Sequence, residues 1–182
     1  MGLSILGACN PVAETRQQEQ LPNRYFSVDS LLEAQHARLL SRQPVWVKRA
    51  RFGSQTSTDT LRLDSVSIAK ELQILAEMDL NEPSLRDAYQ ISTATEGAYT
   101  VTTYRTHQPE KIGINYLKVY RTSEGLQRLE ALFQQKNYLY TSERHLSAEL
   151  NEQGLLNRIE VDGKQKMIFR KPVQYEIRSR ML

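Results

Sequence analysis

The chain has 182 residues, 40% of them hydrophobic, which suffices for one ordinary core and is too little for two comfortable domains. Its formal net charge of +3 and the lack of aromatics interleaved with its basic run give nucleic-acid binding no footing, and its one cysteine, Cys9, excludes an intrachain disulfide. No apolar run approaches the roughly 18 residues that a membrane-spanning helix needs.

Charge is uneven within that balance. Lys164, Lys166, Arg170, Lys171, Arg178 and Arg180 against Glu176 leave the last nineteen residues at +5 and everything before them at −2. Such a segment reads first as a solvated edge strand, whose cations discourage strand addition, and second as a surface for anionic lipid or another acidic partner.

At the start, Leu6-Gly7-Ala8-Cys9 resembles the lipobox of bacterial lipoproteins: a branched apolar residue and two small ones before a cysteine that becomes lipidated. The small residues give a peptidase access to the backbone, and the thiol is the nucleophile that accepts the lipid. Residues 1–9 therefore read as the remnant of a lipoprotein signal peptide and 10–24, with Gln17-Gln18-Glu19-Gln20 and two prolines, as a polar tether. Residues 25–182 read as a single α+β domain. The address implied is the cell envelope, anchored by lipid at Cys9 and placed at the outer membrane.

Ser27 is a good helix N-cap, with Phe26 before it and Leu31 four positions on at the spacing of a hydrophobic staple; a helix is predicted over 28–41. Pro44 ends it. Residues 45–52 and 56–63 read as two strands around Gly53-Ser54-Gln55, a hairpin that would extend the main sheet because two strands alone are marginal in water. A second helix is predicted over 67–79, capped by Asp64 or Ser65, with Ile68, Leu72, Leu75 and Ala76 on one face. Asn81, Glu82 and Pro83 stop it, and 84–88 make a short helical turn.

From Tyr89 onward the chain reads as one antiparallel meander with segments at 89–94, 98–106, 112–121, 126–135, 138–150, 155–161, 164–170 and 173–179. Asp162-Gly163 is the strongest turn signal, since a type I′ turn requires positive φ at both central residues. Residues 126–135 fit helical spacing as well, but Gly125 sits where such a helix would need its first turn, and strand is preferred. The fold class expected is α+β: a large, curved, half-barrel-like antiparallel sheet with two helices on one face.

Residues 77–89, with the acidic Asn81-Glu82-Pro83 loop, and Tyr138-Leu139-Tyr140-Thr141-Ser142-Glu143 resemble a family of uncharacterised lipoproteins of Bacteroidota. Those proteins share the layout of lipidated cysteine, helix after an aromatic pair like Tyr25-Phe26, short hairpin, helix and strands to the C-terminus. The resemblance covers 25–177 and implies fold and address, with no activity or ligand.

No catalytic constellation emerges. His36, His107 and His145 stand apart without a second ligand at a metal spacing, so no metal and no cofactor is expected. Ser142, Glu143 and His145 are triad types, but on a strand Ser142 points away from the other two and no nucleophile elbow is present. Glu77, Asp79, Glu82 and Asp87 lack the glycine of a calcium loop and read as helix-end and cap carboxylates. Tyr99, Tyr104, Tyr116, Tyr120, Tyr138 and Tyr140 are the candidate ligand-facing residues, lining a pocket or tiling a sheet face. The function expected is a structural or interaction lipoprotein of the envelope without catalysis. A carrier of an apolar ligand such as a lipid chain is the alternative, and a hydrolase is the third.

Overall fold

The first helix owes its position to two caps, one local and one borrowed. In the computed structural model, which describes residues 22–182, α1 (Val28–Arg42) starts after Ser27, whose extended backbone lets its side chain accept the Ser30 amide at 3.2 Å. The Asp79 carboxylate, from the far end of the second helix, accepts the Val28 and Asp29 amides at 2.8 and 3.1 Å. A carboxylate there also complements the positive end of the helix dipole. Helix α2 (Ser65–Ala76) begins at Asp64, which accepts the Ser67 amide at 2.8 Å. That cap sets the helix start two residues before the predicted one. Its end comes three residues earlier than predicted, where Met78 and Asp79 turn back onto the Leu75 and Ala76 carbonyls. Cys9 and most of the tether lie outside the described residues.

Among the described residues nine strands form one open, curved antiparallel sheet: β1 (Val45–Phe52), β2 (Gln55–Arg62), β3 (Tyr89–Glu96), β4 (Tyr99–Thr106), β5 (Ile114–Thr122), β6 (Gly125–Lys136), β7 (Tyr140–Leu150), β8 (Leu156–Met167) and β9 (Val173–Met181). Their order is β2-β1-β9-β8-β7-β6-β5-β4-β3. Residues 125–136 are strand, the reading preferred for 126–135, and Gly125 opens it at a φ of +124°. A 3-10 turn, Pro83–Leu85, replaces the longer helical turn expected at 84–88.

Two expectations fail here. The hairpin β1–β2 does join the sheet, but it does so on β9, pairing Trp46 with Met181 through Phe52 with Tyr175. The basic C-terminal segment is therefore an interior strand rather than an edge. Secondly, Asp162-Gly163 is not a turn: residues predicted as two segments form the single strand β8, and the reversal falls at 168–172. Gly163 stands directly opposite Tyr175, whose ring lies so close over it that a Cβ at 163 would fall inside the ring. The glycine serves close packing across strands, and Phe169 takes the left-handed conformation at φ +61° that the real turn requires.

Strand periodicity then separates two faces. On one, Leu117 and Val119 of β5, Leu129 and Ala131 of β6, Leu146 and Ala148 of β7, and Ile159 and Val161 of β8 form a buried cluster with Leu39 of α1 and Ile68, Leu72 and Leu75 of α2. Phe26 and Leu31 both pack, partly buried, against this cluster. Gln35 is buried among these apolar groups, yet both ends of its amide are used: Nε2 donates to the Gly154 carbonyl at 2.9 Å, and Oε1 accepts the Leu156 amide at 2.8 Å. That pair of bonds ties α1 to the loop between β7 and β8.

Candidate interaction surface

The feature without a structural explanation lies at one end of the sheet. Between β6 and β7, the Asn137 side chain accepts the Leu139 and Tyr140 amides at 2.8 and 2.9 Å, forming an Asx turn that projects Tyr138 outward with 86% of its surface exposed. Between β8 and β9, the turn through Phe169 leaves that ring 98% exposed, with Met167 and Ile168 about half exposed beside it. The two turns are fastened together, since the Ile168 amide donates to the Leu139 carbonyl at 2.8 Å. Next along the sheet, Phe52 is 62% exposed and stacks on Tyr175 at 6.3 Å between centroids. The turn between β1 and β2 is held there by the Gly53 amide, which donates to the Gln174 carbonyl at 2.9 Å.

Three neighbouring hairpin ends thus present large apolar side chains to water, against the ordinary tendency to bury them. Burying a single ring of this size is worth about 1.5–3 kcal/mol. Around them stand Lys136, Lys164, Lys166, Arg170 and Lys171, all exposed and none within 4.0 Å of a carboxylate among the described residues. Apolar tips inside a cationic rim are a recognisable combination.

The tyrosines singled out in the sequence do not line one pocket. Tyr104 faces the helices, where its ring meets Tyr25 edge-on at 5.7 Å, and Tyr140 lies on the same side with its hydroxyl donating to Gln135. Tyr99, Tyr116 and Tyr120 occupy the opposite face: Tyr99 meets Tyr120 edge-on at 5.9 Å, Arg105 lies over Tyr116 at 5.3 Å, and Tyr120 donates to Glu130 at 2.7 Å. Tyr138 belongs to the exposed end. Burial raises the phenol pKa of Tyr104 and Tyr116, and burial with the Glu130 hydrogen bond pushes that of Tyr120 up to about 12.

Glu143 and His145 do share a face, 3.9 Å apart, but Ser142 points to the helix side, so the three do not converge. His36 reaches the Ser65 carbonyl at 3.3 Å, and His107 lies in the connection after β4. Among the described residues no group of three or more His, Cys, Asp or Glu is placed to hold a metal. Three of the four acidic side chains have partners: Asp79 caps α1, Asp87 pairs with Arg24 and Glu77 with Arg144; Glu82 stands at the N-cap of the 3-10 turn without a side-chain cap bond, and only its backbone carbonyl accepts the Leu85 amide.

The apolar end escaped the sequence because Tyr138, Leu139, Ile168 and Phe169 are strand formers and read as strand continuations. The available signal was their position beside Lys136-Asn137 and Lys171-Pro172, both turn punctuators. No protein-family model, curated protein or solved structure matches the chain.

Proposed function

We propose that this is a lipid-anchored protein of the cell envelope, lipidated at Cys9, that works by surface interaction rather than catalysis and rests its apolar end on an anionic bilayer surface. One observation carries the docking half of this reading: the exposed Tyr138, Leu139, Ile168 and Phe169 at fastened hairpin ends, ringed by five cations that have no carboxylate within 4.0 Å among the described residues. Aromatic and aliphatic tips enter the headgroup boundary, while each lysine or arginine near an anionic leaflet adds about 1 kcal/mol of attraction. An anchor and a weak docking face are complementary, since stable attachment takes two such signals. The anchor half rests on Leu6-Gly7-Ala8-Cys9 and on the resemblance to Bacteroidota lipoproteins.

A carrier for a lipid chain would need room between helices and sheet; the membership of Leu72, Leu75, Leu117 and Leu129 in one buried cluster supports a packed core over an acyl-chain cavity there. A hydrolase would need Ser142 on the side of His145.

The test of docking uses the full chain as Cys9→Ser, so that no lipid contributes. Co-sedimentation with vesicles of phosphatidylcholine and phosphatidylglycerol should exceed that with phosphatidylcholine alone and weaken with salt. The Ile168→Ser, Phe169→Ser variant should lose about tenfold or more in affinity, because two side chains of this size leave the interface. Equal binding by that variant would overturn the docking. The anchor is tested separately: the wild-type chain, expressed behind a lipoprotein signal sequence, should incorporate radiolabelled palmitate, and the Cys9→Ser chain should not.

A further inference from the structure

Away from that end, the sheet face opposite the helices carries a groove of about 620 Å³ lined by Val47, Arg49, Arg51, Thr58, Glu176, Arg178 and Arg180. Register explains the crowding. Arg49 of β1 stands directly opposite Arg178 of β9, and Arg180 of β9 directly opposite Arg158 of β8. Like charges placed opposite one another in a sheet repel, so two such pairs on three adjacent strands are costly unless something offsets them. The protein offsets part of the charge itself. Arg178 bonds Asp162 at 2.8 and 2.9 Å and lies 3.4 Å from Glu160 and 3.5 Å from Glu176; Arg51 pairs with Glu176, and Arg158 lies 3.6 Å from Glu149.

Two guanidinium groups are left over. Arg49 and Arg180 have no carboxylate within 4.0 Å among the described residues, and both are exposed. They are diagonal neighbours, because Arg180 pairs with Val47, two residues before Arg49, a relation that spans about 7–8 Å. That is a span two long side chains close around one small anion. Thr58, opposite Arg49 on β2, adds a hydroxyl, and Val47 supplies an apolar floor that weakens competition from water. Glu176 does not oppose an incoming anion with free charge, since its two oxygens face Arg51 and Arg178.

We infer that Arg49, Arg180 and Thr58 form a site for a phosphoryl group, either on a phospholipid headgroup or on a soluble phosphate ester. Arginine rather than lysine at both positions fits this class, because the planar fork donates two parallel hydrogen bonds to one oxyanion. The site lies on the open sheet face and its binding is independent of the apolar hairpin ends.

The experiment titrates the full Cys9→Ser chain with pyrophosphate, following backbone amide shifts of β1, β2 and β9 by NMR, and in parallel with vesicles containing phosphatidylglycerol. Saturable shifts around residues 49, 58 and 180 are expected in at least one arm, with affinity falling about tenfold or more in Arg49→Gln, Arg180→Gln, the equivalent of losing one to two charge-assisted hydrogen bonds. Response to pyrophosphate identifies a soluble phosphate ester as sufficient; response to vesicles alone identifies the headgroup. Arg180→Lys, which keeps charge and loses the fork, should fall between, and the Ile168→Ser, Phe169→Ser variant should bind pyrophosphate as the parent does. The double glutamine variant should also unfold at an equal or higher temperature than the parent in the absence of ligand, as relief of repulsion requires. No saturable shift in either arm, or shifts unchanged in the double variant, would overturn the site.

Discussion

The two faces of β5 to β8 are made from the same strands and do opposite work. Toward the helices, alternate positions are Leu117, Val119, Leu129, Leu146 and Ile159, each at most 2% exposed. On the other side, the residues between them are Lys118, Glu130, Ser147 and Glu160. Burial by a second layer and burial by neighbours are therefore distinguishable in one sheet. Tyr120 shows the second kind: it is only 4% exposed on the uncovered face, because Tyr99 meets its edge, Arg128 lies 4.0 Å from its ring centre and Lys118 reaches over it at 5.9 Å. Long cationic side chains shield an aromatic ring with their stems and keep their charge in water. Stability should concentrate on the covered face, and binding on the uncovered one.

Truncation across the covered face should have the largest effect. Leu72→Ala and Leu75→Ala each leave a cavity where helix meets sheet, and each should lower unfolding free energy by about 2–4 kcal/mol. Thr103→Ala, on the uncovered face of β4, should stay within about 0.5 kcal/mol. Urea denaturation measures all three. Losses below about 0.5 kcal/mol for both leucines would mean that the helices do not seal this face as described.

A smaller effect is expected at the point where the faces are set by close packing rather than by pattern. Gly163→Ala forces a methyl into the Tyr175 ring, and overpacking of this kind costs about 1–3 kcal/mol. The Tyr175→Ala background removes the obstacle. Adding Gly163→Ala there should cost less than in the parent, so the double variant should lose less stability than the sum of the two single variants. Additive costs would place the clash elsewhere, in the backbone of β8.

How much of this was legible follows the same division. Helix α1 was readable from Ser27, Phe26 and Leu31 because its signals are local, and the meander was readable from period-two apolar residues. Asp162-Gly163 misled because glycine has two uses, turning and close approach, and only the identity of the residue across the strand, Tyr175, decides between them. That identity depends on register between strands, which no local window contains. The same holds for the arginine groove: Arg49 and Arg178 are 129 positions apart, and their opposition exists only once β1 has paired with β9. Cap Asp79 was read correctly as a helix-end carboxylate, yet the helix it caps is α1, a partnership again set by tertiary contact.

The smallest effect at neutral pH, and the one that compares the faces by titration, concerns the tyrosines. Burial raises the phenol pKa of Tyr89 and Tyr104 on the covered face and of Tyr116 and Tyr120 on the other, Tyr120 to about 12. In the unfolded chain these phenols titrate near 10, so between about pH 10 and 12 the folded protein holds more protons than the unfolded one. Stability is then fully present below pH 10 and is lost as pH rises through the folded values. Tyr120→Phe keeps the ring against Tyr99 and Arg128 and removes both the proton and the hydrogen bond to Glu130. At pH 7 it should cost about 1 kcal/mol, less than the roughly 1.5–3 kcal/mol of a buried bond to a charged group because the Glu130 carboxylate is partly exposed and keeps Arg128 at 3.3 Å. Above pH 10 its stability should fall less steeply than the parent's, so the two curves converge. Tyr104→Phe on the covered face should flatten the same limb, and parallel curves for parent and Tyr120→Phe up to pH 12 would show that Tyr120 ionises without opposition from its surroundings.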